Sequence, residues 1–205
     1  MTEEDDEDED DEDDEDDEEV TTVTTVTTEI TETTEYVNDE DDESYKGHLE
    51  VVKYLHSIGY REECSIDYAA SNGHLEVVKY LHSIGYKGFD NAINNAATNG
   101  HLEVVKYLHS VGYRGTDWAI DYASENGHLE VVKYLHSIGY RCLNWVFNYT
   151  AKNGHLEVVK YLHSVGYIGS DWAIDYASEN GHLEVVKYLH SVGYRGTELA
   201  SDNAA

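Results

Sequence analysis

The sequence predicts an all-α solenoid of helix-turn-helix units with shortened loops between them, preceded by a disordered acidic tail. Two observations carry this reading. The string GHLEVVKYLHS, followed by Ile or Val and then Gly-Tyr, begins at Gly47, Gly73, Gly100, Gly127, Gly154 and Gly181, in steps of 26, 27, 27, 27 and 27 residues. A fixed period of this kind marks units that bury their apolar surface only by stacking on one another. Charge, in addition, is divided along the chain. Residues 1–46 hold 25 of the 43 acidic residues and one base, Lys46, whereas 47–205 carry 18 acidic and 12 basic residues. The expected organisation is a tail over 1–45 and a repeat domain over 46–205.

Within the tail, Glu3 to Glu19 is an unbroken run of Asp and Glu. Self-repulsion and the lack of apolar groups predict a disordered segment. Residues 20–36 read VTTVTTVTTEITETTEY. Their apolar residues recur at about every third place, which fits neither a strand nor a long amphipathic helix, and their β-branched side chains favour extended chain. The acidic run has two readings. It is a solvated, solubilising tail, or it grips basic proteins as a chaperone or nucleic-acid mimic with the repeats as its carrier. Dense carboxylates alone fix no coordination geometry, so no metal site is expected there.

In the repeat domain the string itself predicts one helix. Leu129, Val131, Val132, Leu135 and Ile138 form one apolar stripe. Glu130 lies in the first turn, where the helix dipole favours an anion, with Lys133 three residues on. Gly139 supplies the left-handed residue that ends the helix. A second helix precedes this one. Over Asp117–Gly127 (DWAIDYASENG), Ala119, Ile120 and Ala123 make a small apolar face, Asp117 or Thr116 is placed to cap the start, and Asn126-Gly127 turns into the next helix. Each LEVVKYLHS helix is expected to bury about five aliphatic side chains, worth roughly 1.5–3 kcal/mol each when fully buried.

The stretches Ala123-Ser124-Glu125-Asn126-Gly127-His128, then Glu130-Val131-Val132-Lys133-Tyr134-Leu135, then Gly139 resemble the ankyrin repeat family. The likeness extends over residues 46–205 and is greatest to the shortened, self-similar repeats of protists and amoebal giant viruses. It implies a non-enzymatic scaffold for protein–protein interaction. Three departures stand out. Trp118-Ala119-Ile120-Asp121 replaces the family's opening TPLH, His136 replaces the second Leu of its LL pair, and Tyr113 to Asp117 leaves no room for the β-hairpin finger between units. Contacts made through fingers therefore do not carry over.

Comparison of the copies locates a candidate surface. The second helix is nearly constant, while the first helix varies at three positions: Cys64, Asn91, Trp118, Trp145 and Trp172; Asp67, Asn94, Asp121, Asn148 and Asp175; and Ser71, Thr98, Glu125, Lys152 and Glu179. The candidate partner-binding set is Trp118, Asp121, Glu125, Trp145, Asn148, Lys152, Trp172, Asp175 and Glu179. Variation there is read either as tuning to a partner or as drift on a solvated face. Tryptophan's enrichment at binding hot spots favours the first, and the tryptophans filling gaps between units is the alternative. Residues 117–136 and 171–190 are identical, the mark of a recent block duplication.

All 12 histidines lie at the LEVVKYLHS helices, two per copy and eight residues apart. That spacing keeps the pair from sharing a metal, while histidines of successive units are expected to align into ladders whose protonation would destabilise the stack. The resemblance implies that the first of each pair packs the turn between helices. Tyr54, Tyr80, Tyr107, Tyr134, Tyr161 and Tyr188 recur in register as a packed row. No phosphate loop, nucleophile elbow or Cys–His pairing appears, so neither catalysis nor a cofactor is expected. A net negative chain argues against direct nucleic-acid binding. No apolar run reaches the ~20 residues of a membrane span, and two scattered cysteines with an acidic N-terminus point to a reducing intracellular, cytoplasmic setting. The first copy lacks an Ala-rich first helix, so residues 47–60 are expected to be the weakest part of the array.

Overall fold

A computed structural model of the chain describes residues 42–59, 65–88 and 91–197, with the backbone alone at 42–48 and 65. Residues 1–41 of the expected tail and Cys64 lie outside the described residues, whereas 42–45 are the start of a helix. Eleven helices run in chain order among those residues: α1 (Asp42–Ser57), α2 (Ser65–Ser71), α3 (Leu75–Ser83), α4 (Asn91–Thr98), α5 (Leu102–Ser110), α6 (Trp118–Glu125), α7 (Leu129–Ser137), α8 (Asn144–Lys152), α9 (Leu156–Ser164), α10 (Trp172–Glu179) and α11 (Leu183–Ser191). The described residues contain no strand. The inter-unit loops that are described throughout, such as 111–117 and 138–143, are correspondingly short and hold no hairpin finger.

Both helices of a unit end by the same local device. After α6, Gly127 N–H bonds to Ser124 O at 3.2 Å and His128 N–H to Ala123 O at 2.9 Å. After α7, Gly139 N–H bonds to His136 O at 3.2 Å and Tyr140 N–H to Leu135 O at 3.1 Å. This paired closure uses up carbonyls that the helix leaves without partners, and it needs a left-handed residue at its hinge. Gly127 (φ 82°) and Gly139 (φ 106°) provide it.

The helix starts differ from expectation. Asp117 takes helical dihedrals and makes no side-chain cap, and Ala119 N–H bonds instead to the backbone carbonyl of Thr116 at 3.0 Å. The carboxylate of Asp117 accepts from Arg141 N–H of the next unit at 3.4 Å. The LEVVKYLHS helices likewise start without a side-chain cap at His128.

Stacking builds the core. Ala119, Ile120 and Ala123 of α6 and Val131, Val132 and Leu135 of α7 are fully enclosed, and the same positions recur in the neighbouring units. Three aliphatic residues are thus buried in each of α3, α5, α7 and α9 and two in α11, while Leu129 and Ile138 are half-buried at the edge. First helices of successive units pack on one another more extensively than second helices do. Their alanines (Ala92, Ala96, Ala119, Ala123, Ala173, Ala177) put little side-chain bulk between the backbones. The Glu130–Lys133 pair, 2.6 Å apart, is solvent-exposed and repeats in every copy; exposed pairs of this kind contribute about 0.3–0.5 kcal/mol each.

Candidate partner-binding face

The three variable positions of the first helices have different fates. The position held by Trp118 and Trp172 is open, the two rings being 50% and 49% exposed, whereas Trp145 is half-buried. Each tryptophan lies against the tyrosine four residues on. Trp118 stacks on Tyr122 with ring centroids 5.5 Å apart, Trp145 meets Tyr149 edge-on at 5.4 Å, and Trp172 lies tilted over Tyr176 at 5.7 Å. Tyr149 and Tyr176 also approach one another, at 6.2 Å. Trp118 and Trp172 are thus half open to solvent, whereas Trp145 packs against the core. The three tryptophans and their tyrosines form an aromatic band on the first-helix side.

Lys152, at the third position, joins this band. Its ammonium lies 5.5 Å from the ring of Tyr149 and 5.8 Å from that of Tyr176, within range of attraction to the π-faces of both. Glu125 is half-buried and Glu179 exposed at the same position of the units before and after.

The remaining position turns inward. Asp121 is 1% exposed and its Oδ1 accepts the backbone N–H of Leu143 in the next unit's loop at 3.1 Å. Asn148 does the same for Ser170 N–H at 3.1 Å and also donates to Ser170 Oγ at 2.9 Å. Asp175 accepts both Thr197 N–H at 2.9 Å and Thr197 Oγ–H at 2.7 Å. Asn94 and Thr116 form the same two-bond link. These residues clamp one unit to the next: Asp121 and Asp175 are buried, and Asn148 is half-buried, with its amide engaged across the junction. Among the clamps formed within the described residues, Asp121 is the incomplete member. Leu143 stands where Thr116, Ser170 and Thr197 offer a hydroxyl, and Oδ2 of Asp121 is buried without a hydrogen bond. Burial, which penalises the charged form, pushes this carboxyl up to about 6 against the pull of the Leu143 bond.

Each histidine ladder has its own role. In the first five copies the second histidine of the pair holds a tyrosine of the following unit. His56 Nδ1 lies 3.2 Å from Tyr80 Oη, and the pairs His82–Tyr107, His109–Tyr134, His136–Tyr161 and His163–Tyr188 follow at 3.1, 3.0, 2.9 and 2.9 Å. The departure from the family's LL pair at His136 thus creates a polar inter-unit joint. The first histidine packs under the preceding turn: the ring of His155 fills the space that a Cβ on Gly127 would take, and His128 does the same at Gly100. Burial holds His155 below the usual imidazole value, and His128 and His182 add to the effect. A second tyrosine per unit locks the loops, as Tyr140 Oη accepting Gly115 N–H at 2.8 Å and Tyr167 Oη accepting Cys142 N–H at 3.0 Å.

The signal for Tyr122, Tyr149 and Tyr176 was their spacing of four from each tryptophan. Among the described residues no group of three or more His, Cys, Asp or Glu is arranged to hold a metal ion, and no described helix is long and apolar enough to cross a membrane. Cys142 is buried beside Ser124 Oγ at 3.7 Å, and burial pushes its thiol up to about 12, far from a reactive thiolate.

No curated protein matches the chain. Family models do. Ankyrin repeats (3 copies) match residues 66–144 and 122–199, and ankyrin repeats (many copies) match residues 44–82. With the helix pairs, the glycine closures and more than half of the sequence covered, the chain belongs to the ankyrin repeat family.

Proposed function

We propose that this protein is a non-catalytic scaffold that takes a protein partner on the aromatic band of its first helices. Ankyrin repeats are interaction modules in general, and fold alone names no partner. The observation that carries the placement is the band itself: Trp118–Tyr122, Trp145–Tyr149 and Trp172–Tyr176 keep large, rigid rings at the surface although the enclosed core is already filled by Ala, Val, Ile and Leu. Rings held in this way present contact area at little entropic cost, the character of binding hot spots. The variable third position, with Lys152 between Glu125 and Glu179, adds a charge pattern for register.

The test is affinity capture with three forms of the protein: the full chain, the chain lacking residues 1–41, and the full chain with Trp118→Ser, Trp145→Ser and Trp172→Ser. A partner retained by the first two and lost from the third supports the aromatic band. A partner retained equally by all three overturns it. The acidic run over Glu3–Glu19 supports a second reading, an acidic chaperone for basic proteins. Under that reading only the truncated form loses its partner, and binding of basic proteins that survives the truncation rejects it.

A further inference from the structure

The two ends of the array are the two halves of its internal joint. At every interior junction a second helix presents one edge to the unit before it and the opposite edge to the unit after. The first Val and the Tyr of LEVVKYLHS face backward: Val77, Val104, Val131, Val158 and Val185 are buried, and Tyr80, Tyr107, Tyr134, Tyr161 and Tyr188 are half-buried with a histidine of the preceding unit at hydrogen-bond distance. The Leu, the second Val and the second His face forward.

At α1 the backward edge is exposed among the described residues: Val51, Tyr54 and Ile58 are exposed, Tyr54 by 65%. At α11 the forward edge is exposed among them too. Leu183 is 60% exposed where Leu75, Leu102, Leu129 and Leu156 are half-buried, and Val186 is half-buried where Val78, Val105, Val132 and Val159 are fully enclosed. Gly181 has nothing within 4 Å of its Cβ position, where Gly100, Gly127 and Gly154 each lie beneath the histidine of the following unit. His190, the counterpart of His163, meets Arg195 instead of a tyrosine. The two exposed edges are built from the same residue types, at the same positions, as the two sides of each formed joint.

We propose that α11 of one copy stacks on α1 of a second copy, head to tail, and that the contact reproduces the second-helix side of the internal joint: Tyr54 of the incoming copy against His190, and its Val51 against Leu183 and Val186. The occupant is argued from continuity with the five tyrosine–histidine joints inside the chain, which show what these edges accept. Such a contact pairs two different surfaces, so it does not close on itself and yields linear chains of copies.

Sedimentation equilibrium of the full chain, in about 0.15 M salt so that its acidic charge is screened, tests this. The expected result is a mass that rises continuously with concentration. Tyr54→Glu blocks the backward edge and Leu183→Glu the forward edge, both at exposed positions, so the helical signal and melting curve of each stay close to those of the parent. Each variant alone is expected to remain single. An equimolar mixture is expected to form pairs and stop there, because only one intact backward edge and one intact forward edge remain to meet. Tyr54→Phe keeps the ring and loses the hydroxyl, and is expected to weaken association about threefold to tenfold. Three outcomes overturn the proposal: a constant single-chain mass for the parent at every concentration reached, association of Tyr54→Glu alone as strong as the parent's, or a mixture that stays single.

Discussion

The helices α3, α5, α7, α9 and α11 carry the same nine residues, LEVVKYLHS, whereas among the first helices only α6 and α10 agree. The two rows solve different problems. In the second-helix row the tyrosine–histidine contact is the same at each of five junctions, so a change at one copy breaks a match that the others keep. The first-helix row divides its work. Alanines and one larger aliphatic or aromatic residue fill the core, one polar position clamps the next loop, and one aromatic position faces outward. Variation is free only where no partner in the next unit constrains it, and it is paired where one does.

That contrast can be broken most forcefully in the second row. Leu135→Ala empties a fully enclosed site and is expected to cost about 2–5 kcal/mol. Urea unfolding followed by circular dichroism measures it. Gly127→Ala and Gly139→Ala separate packing from backbone strain. Both force a residue with a Cβ into the left-handed region, at about 1–2 kcal/mol. At Gly139 nothing lies within 4 Å of the new atom, whereas at Gly127 it meets the His155 ring, so Gly127→Ala is expected to lower the melting temperature further. Equal losses would show that the first histidines do not pack as described.

The clamp row gives a smaller effect of opposite sign. Leu143→Thr places a hydroxyl beside the orphaned Oδ2 of Asp121, as Thr197 does for Asp175. It is expected to stabilise the fold by about 0.5–1.5 kcal/mol. The pH dependence follows from the raised carboxyl. Between the ordinary value of 3.8 and about 6, native Asp121 holds a proton that the unfolded chain has lost. Its contribution is therefore complete below the lower value and disappears as pH rises through the upper one. Relative to Asp121→Asn, the parent is expected to lose stability across this window, and Leu143→Thr should narrow the loss. His155 works in the other direction. Its depressed affinity for protons makes the fold lose stability as pH falls below the ordinary imidazole value, and melting temperatures of His155→Gln against the parent resolve that share. The smallest change belongs to the exposed band: Trp118→Ser is expected to shift stability by about 0.5 kcal/mol while removing contact area for a partner.

The period, the helix pairs and their glycine ends were legible in the sequence, because both kinds of helix close through local bonds spanning a few residues. The aromatic band was half legible through its tryptophans. The clamp was not. Alternating Asp and Asn on a helix reads as a solvated face, and the bonded hydroxyl lies 22 residues on, in another unit's loop, where only stacking brings the two together. A trace was nevertheless present: Asn94 is followed at that spacing by Thr116, Asn148 by Ser170 and Asp175 by Thr197, whereas Asp67 and Asp121 are followed by Phe89 and Leu143, which carry no hydroxyl. Asp117 misled as a cap for the same reason, since its carboxylate serves Arg141 of the following unit.

The uniform tyrosine–histidine joint also bears on how such a chain changes length. Excising residues 127–153 joins Asn126 to Gly154, which restores the same Asn-Gly-His turn and brings α6 before α9 with every surviving second-helix junction of a kind already in use. Gain or loss of a whole 27-residue block is then a conservative event, unlike the same excision in a fold whose contacts are each unique. Stability rises or falls by one increment per block. The number of units becomes a quantity that gene slippage can adjust in steps, and the span of the aromatic band changes with it.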